Sequence, residues 1–183
     1  MTETELIEAL SRQDTKAQQQ TIVCYGREVF ALLVRLVNVA ENAEEVYQDV
    51  FVKVFRNIGQ YDVGRSSLRT WILRIAYHEA ISFLRRKRLP VVYFEDRGHE
   101  ADKLSEAEVD ETLGHASTET VQLIRAALKH LPPEERALIT MFYYEERSLK
   151  EIAEITGSIS TTIASRLSRT RKKLCRIIKM LQS

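Results

Sequence analysis

At 183 residues, with 44% hydrophobic and 29% charged side chains, the chain has enough apolar material for one medium core or two small ones, which excludes wholesale disorder. Only six glycines and three prolines interrupt a sequence rich in Glu, Lys, Arg, Leu, Ala and Ile, so the expected fold class is all-α. The net charge of +1 hides a segregation: bases gather at 85–88 and again from 166 to 179, and acids fill the interval from Glu95 to Glu111.

Residues 4–11 suit a short helix, and residues 22–39 carry Val23, Val29, Phe30, Leu33, Val34 and Val37 at helical spacing. Asn42 with Glu45 three residues on has the form of a capping box, predicting a helix to about Ile58 with Val46, Val50 and Val54 as its apolar row. Gly59 closes that helix. A loop over 60–66 leads to a further helix over 67–89, ended by Pro90. From 90 to 117 periodicity fades into an acidic stretch, read as a flexible linker, with a short amphipathic helix around 101–113 as the alternative. Helices are again expected over 120–131, from Pro132-Pro133 to about Glu146, from the capping box Ser148-Leu149-Lys150-Glu151 to Gly157, and over 161–181.

The interval 148–174 has the pattern of a helix-turn-helix: a short helix, a turn containing Gly157, and a second helix with a polar and basic outer face. Leu149, Ile152, Ala153 and Ile155 are assigned to the core side of the first helix, and Ile159, Ile163 and Leu167 to that of the second. Thr161, Thr162, Ala164, Ser165, Arg166, Ser168 and Arg169 are then left at the outward start of the second helix. In this motif short polar groups and Arg there reach base edges in the major groove. Arg171, Lys172 and Lys173 follow one turn on, at phosphate-contact spacing, which adds affinity and salt dependence but little sequence information. An ordinary helical hairpin with a solvated basic face would show the same pattern.

In the first half, Leu68, Ile72, Ile75, Ala76 and Phe83 can pack inward, leaving Arg69, Arg74 and the run Arg85-Arg86-Lys87-Arg88 to a polyanion. Tyr61, Trp71 and Tyr77 offer flat faces beside those bases, the combination that holds unpaired nucleotides by stacking and charge. For Trp71 a core position is an equal reading.

Three stretches together resemble one family. Residues 42–55, Asn-Ala-Glu-Glu-Val-Tyr-Gln-Asp-Val-Phe-Val-Lys-Val-Phe, are similar to the segment with which extracytoplasmic-function (ECF) sigma factors bind core RNA polymerase. Residues 68–88 resemble that family's promoter-melting helix, and Leu131-Pro132-Pro133-Glu134-Glu135-Arg136 with 148–157 and 162–174 resembles its minus-thirty-five-reading domain. The resemblance implies region 2 over 1–90, an acidic linker over 91–117 and region 4 over 118–183, as two small helical domains on a flexible connector. It implies polymerase contacts through Glu45, Gln48, Asp49 and Lys53, docking on the clamp helices of the largest subunit. It implies minus-ten contacts through Tyr61, Arg65, Arg69, Trp71, Arg74, His78, Arg85, Arg86 and Arg88. Minus-thirty-five contacts fall to Thr161, Thr162, Ser165, Arg166, Arg169, Arg171, Lys172 and Lys173. Where the family commonly carries Asn and Asp in the melting helix, this chain has His78 and Ser82; Ser158 follows the turn glycine, and Ala164 replaces a frequent base.

The partners so implied are core RNA polymerase, promoter DNA and an anti-sigma factor able to cover the amphipathic faces, with no small-molecule substrate. A conventional helix-turn-helix regulator explains the C-terminal half alone. An enzyme is disfavoured: His78, His99, His115 and His130 are scattered, with no phosphate loop, nucleophile elbow or metal spacing, so no cofactor is expected. Cys24 and Cys175 are expected to be reduced. Without a run near the roughly 20 apolar residues of a membrane span, and with Glu3, Glu5 and Glu8 in place of a signal peptide's basic start, a cytoplasmic protein is expected.

Overall fold

Polar side chains cap the starts of the helices that begin at Glu3, Thr15, Leu68, Glu106 and Thr118. The structure, a computed structural model, describes residues 1–87, 104–114 and 117–183, and every regular element among them is helical. They form two compact units: Met1–Lys87 with Ala153–Ser158, and Arg88–Ile152 with Ile159–Ser183.

In the first unit, α1 (Glu3–Ser11) opens with a capping box in which the Glu5 amide donates to Thr2 Oγ1 at 3.3 Å and the Thr2 amide to Glu5 Oε2 at 2.7 Å. Asp14 caps α2 (Thr15–Val37), accepting from the Lys16 amide at 2.7 Å. Asn38, at φ 65°, closes α2 with a left-handed turn, Val39 is extended, and α3 (Ala40–Asn57) starts at once. The N-cap expected at Asn42 is therefore three residues late, Val39 holding that position. Asn42 lies inside the helix, where its side-chain oxygen accepts from Lys87 Nζ at 2.7 Å. A 3-10 turn (Ile58–Gln60) takes in Gly59, and Ser67 caps α4 (Leu68–Arg86) through the Thr70 amide at 3.1 Å.

Leu32, Leu33 and Leu36 of α2, Val46, Val50 and Val54 of α3, and Leu68, Ile72, Leu73 and Ala76 of α4 are fully buried, with Leu6 and Leu10 of α1 beside them. Each large aliphatic side chain so buried contributes about 1.5–3 kcal/mol, which the short caps alone could not supply. Gly26 lets Tyr47 lie across α2, since a Cβ there would meet the Tyr47 hydroxyl. The ring stands edge-on to Phe30, centroids 5.7 Å apart. Val23, assigned to the inner stripe, is 81% exposed: the buried row runs through Ala17, Thr21, Val29 and Leu33, and Val23 falls off it.

The second unit comprises α5 (Glu106–Leu113), α6 (Thr118–Leu128), α7 (Pro133–Ile139) continued by a π turn (Thr140–Tyr144), α8 (Leu149–Thr156) in part, and α9 (Ser160–Gln182). Ile163, Leu167, Thr170, Leu174, Ile177 and Ile178 bury one stripe of α9, and α5, α6 and α7 pack against this helix. The helix expected as far as Glu146 ends sooner. The Glu145 amide reaches back five residues to the Thr140 carbonyl at 3.2 Å, and Glu146 turns left-handed at φ 51°. Buried Arg147 then bonds the equally buried Glu145 carboxylate through two nitrogens, at 2.9 and 2.6 Å.

Within the acidic stretch, residues 106–113 take the helical alternative: Ser105 and Glu108 form a capping box, and Val109 is fully buried. Residues 88–103 and 115–116, with Arg88, His99, His115 and the apolar residues Val91, Val92, Tyr93 and Phe94, lie outside the described residues. The predicted box at Ser148 is present, its hydroxyl accepting from the Glu151 amide at 3.1 Å, and Gly157 at φ +76° ends α8 in the backbone region that favours glycine.

Candidate polymerase and nucleic-acid interfaces

Helix α3 buries Val46, Val50 and Val54 and turns Glu45, Gln48, Asp49 and Lys53 outward, residues three and four apart on one face. Val52, which the sequence did not single out, is an exposed apolar neighbour within that row. Lys53 Nζ is ion-paired across to Glu79 of α4, whose carboxylate is nearly buried, so the ammonium end of Lys53 is held against α4. Removing Lys53 would leave that carboxylate short of a partner.

After α3 the loop is tied to itself. The Tyr61 hydroxyl donates to the Ser66 carbonyl at 2.9 Å, and the Asp62 carboxylate accepts from the Gly64 amide at 2.8 Å while its carbonyl accepts from the Arg65 amide at 3.0 Å. The Tyr61 ring leans on half-buried Trp71, centroids 5.5 Å apart, and burial pushes its phenol above the ordinary range. Arg65 stands exposed beside Val63, which is 75% exposed and was missed in the sequence.

Arg69 is exposed but oriented: Glu28 of α2 grips it with both oxygens, at 2.9 Å from Nε and 2.5 Å from a terminal nitrogen. No spacing rule signals a partner 41 residues away. His78 is exposed, its Nδ1 donating to the Arg74 carbonyl at 2.8 Å, and Arg74 itself is half-buried. Arg85 and Arg86 are exposed at the helix end, where cations suit the dipole. Tyr77, expected to show a face, is only 7% exposed: it lies on the core side of α4, beside Ala76 and Ala80.

On α9, Thr161, Ser165, Arg166 and Arg169 are exposed and Thr162 is half-buried; the Ser165 hydroxyl donates to the Thr161 carbonyl at 3.1 Å. The next bases separate. Arg171 is drawn onto α5, 3.1 Å from Glu106 and in contact with Asp110, with its guanidinium over the Tyr143 ring at 5.8 Å. Lys173 is held by Glu135 at 3.0 Å, and Lys172 is half-buried. Ile159, assigned to the core, is 67% exposed: the left-handed turn at Gly157 brings it to the N-cap position of α9, outside the buried stripe. Both cysteines are unpaired, Cys24 exposed and Cys175 buried. Among the described residues no helix is long and apolar enough to cross a membrane.

Residues 21–89 match the model of Sigma-70 region 2 and residues 121–174 that of Sigma-70, region 4. The chain is 31% identical over 157 residues to the ECF RNA polymerase sigma factor RpoE of Cereibacter sphaeroides, covering 85% of this chain and 82% of that one. It is 27% identical to the ECF RNA polymerase sigma factor SigW of Bacillus subtilis, covering 92% of each. In fold it is similar to the sigma factor RpoE of Bartonella quintana, solved with the anti-sigma factor NepR, at a TM-score of 0.58, 24% identity, and coverage of 88% of this chain and 96% of that one. It is likewise similar to CnrH, solved with the cytosolic domain of CnrY, at 0.59, 20% identity and 96% coverage of each. Two sigma regions in this order, on helices with outward basic rows, define a transcription initiation factor. The chain belongs to the sigma-70 family, in its extracytoplasmic-function group. It binds core RNA polymerase and directs promoter-specific initiation.

Proposed function

We propose that the two units divide the work of initiation by residue. Glu45, Gln48, Asp49 and Lys53 of α3 dock on the clamp helices of the polymerase's largest subunit. The loop after α3 and the outer side of α4 hold the melted minus-ten strand through Tyr61, Arg65, Arg69, Trp71, Arg74, His78, Arg85 and Arg86, and Arg88 of the following sequence joins them. Thr161, Thr162, Ser165, Arg166 and Arg169 read the minus-thirty-five duplex, with Arg171, Lys172 and Lys173 behind them. The functional boundaries follow as 1–90 and 118–183, with 91–117 as connector.

The observation that carries this reading is the outward polar row of α3, inside the matched region 2 segment and separate from the apolar row that builds the core. Arg171 and Lys173 are engaged by acids of their own unit, so the proximal bases Arg166 and Arg169 carry more of the duplex contact. The protein acts in the cytoplasm, where the polymerase is, and performs no catalysis of its own. An anti-sigma partner covers the α3 row, as the anti-sigma factor NepR accompanies the sigma factor RpoE of Bartonella quintana in its solved complex.

Mixing the protein with core polymerase and separating the products by size exclusion tests the assignment. A stable holoenzyme is expected, with the Gln48→Ala/Asp49→Ala variant forming about tenfold less at equal concentration, a loss typical of two central polar contacts. An unchanged yield removes the α3 face from the interface. Specific duplex binding without any holoenzyme would favour the conventional regulator instead.

A further inference from the structure

Helix α5 lies between the two matched segments and outside both. It packs along one face of α9, the face carrying Ser168, Arg171 and Cys175, which recur at three- and four-residue intervals. Val109 is buried there, its carbonyl 3.9 Å from Cys175 Sγ. Glu106 accepts from the Ser168 hydroxyl at 2.9 Å and from Arg171 at 3.1 Å, and Asp110 takes another Arg171 nitrogen. Two carboxylates thus occupy, on the DNA-reading helix, the donors that a phosphate backbone would use.

We infer that α5 is a displaceable acidic clamp, whose Glu106 and Asp110 stand in for phosphates on α9 until duplex DNA takes their place. This inference rests on the assignment of α9 to duplex reading. Three features make the clamp exchangeable. Glu106 and Asp110 remain 56% and 69% exposed, so water and salt compete for their ion pairs. Eight residues are too few to hold a helix without tertiary support. That support is narrow, since Val109 is the buried residue of α5. The arrangement is also selective within the basic row: Arg166 and Arg169, nearer the reading end, stay exposed while Ser168 and Arg171 are engaged. Weak contact with any duplex therefore begins at the proximal bases. Full seating along α9 requires the carboxylates to leave.

The test uses the full chain and a fluorescent mixed-sequence duplex. Glu106→Gln/Asp110→Asn keeps side-chain size and removes charge. It is expected to bind about three- to tenfold more tightly near 0.1 M salt, with the slope of log affinity against log salt steeper by about one, because carboxylates freed in the wild-type chain take up cations that offset those released from the phosphates. A control that removes two exposed acids outside α5, Glu119→Gln/Glu146→Gln, gains less than half of that and leaves the slope unchanged. Equal gains from the two variants overturn the clamp and leave only a general charge effect. Hydrogen exchange on the wild-type chain gives a readout independent of variant folding: amides of α5 should lose protection when duplex is added, and unchanged or increased protection overturns the inference. Arg166→Ala/Arg169→Ala separates the two levels. If duplex binding survives it undiminished, α9 is not the reader and both readings fall; if binding is lost there yet ignores the acid removal, the clamp alone falls.

Discussion

The two units place packing and candidate recognition differently. In the first, long helices α2, α3 and α4 bury one row each and keep the polar row on another side, so core and surface belong to different residues. In the second, α9 serves both purposes: its buried stripe supports α5, α6 and α7, and the residues between those positions form the candidate reading face. A change at Gln48 or Asp49 on the surface of α3 should therefore be felt mainly in binding. A change on α9 propagates into the packing of its neighbours.

The largest expected effect lies in the second unit. Arg147→Ala leaves Glu145 buried without its two guanidinium bonds and should cost about 3–5 kcal/mol in denaturant unfolding. A loss similar to that of an exposed pair would show that water reaches this carboxylate. Leu174→Ala should cost about 2–5 kcal/mol and lower exchange protection in α5, α6 and α7 together, as expected of a shared spine. Confinement of the effect to α9 would break the contrast between the units.

Smaller effects sharpen it. Ser67→Ala and Ser105→Ala each remove an N-cap worth about 1 kcal/mol. The first should appear in global stability, the second as fraying of α5 in exchange. The capping boxes hold the Glu5 and Glu108 carboxyls below the usual range, through hydrogen bonds from Thr2 and Ser105. A lowered folded-state value means that this support is present above the ordinary carboxylate range and is lost as pH falls through the folded value, so α1 and α5 should fray first on acidification. Circular dichroism of Thr2→Ala and Ser105→Ala should lose that acid-side component. Smallest in energy is the thiol contrast: exposed Cys24 should react at once with an alkylating reagent, whereas Cys175, buried and with its thiol pushed up by burial, should wait for unfolding.

Much of this was legible in the sequence because periodicity reports faces. The row Val46, Val50, Val54 and the stripe Ile163, Leu167 fell where spacing put them, as did the box at Ser148 and the turn at Gly157. Boundaries set by backbone geometry were harder. Asn38 ends α2 by adopting a left-handed turn that Asn tolerates but does not require, and this moved the start of α3. Val23 and Tyr77 are residues whose side depends on a phase that the apolar pattern alone left open. The ion pairs were out of reach altogether: Glu28 meets Arg69 across 41 residues and Glu106 meets Arg171 across 65, and like-looking charges elsewhere in the chain offered equally plausible mates.

The self-tied loop after α3 has a thermodynamic consequence. Fixing a residue's backbone costs about 1–2 kcal/mol in entropy, and over 61–67 that ordering accompanies folding, through the Tyr61–Ser66, Asp62–Gly64 and Asp62–Arg65 bonds. A strand that meets Val63 and Arg65 then encounters a surface already in shape and gives up little further conformational freedom on the protein's side. Discrimination among strands at this loop would depend on how readily each DNA sequence bends and unstacks to fit it.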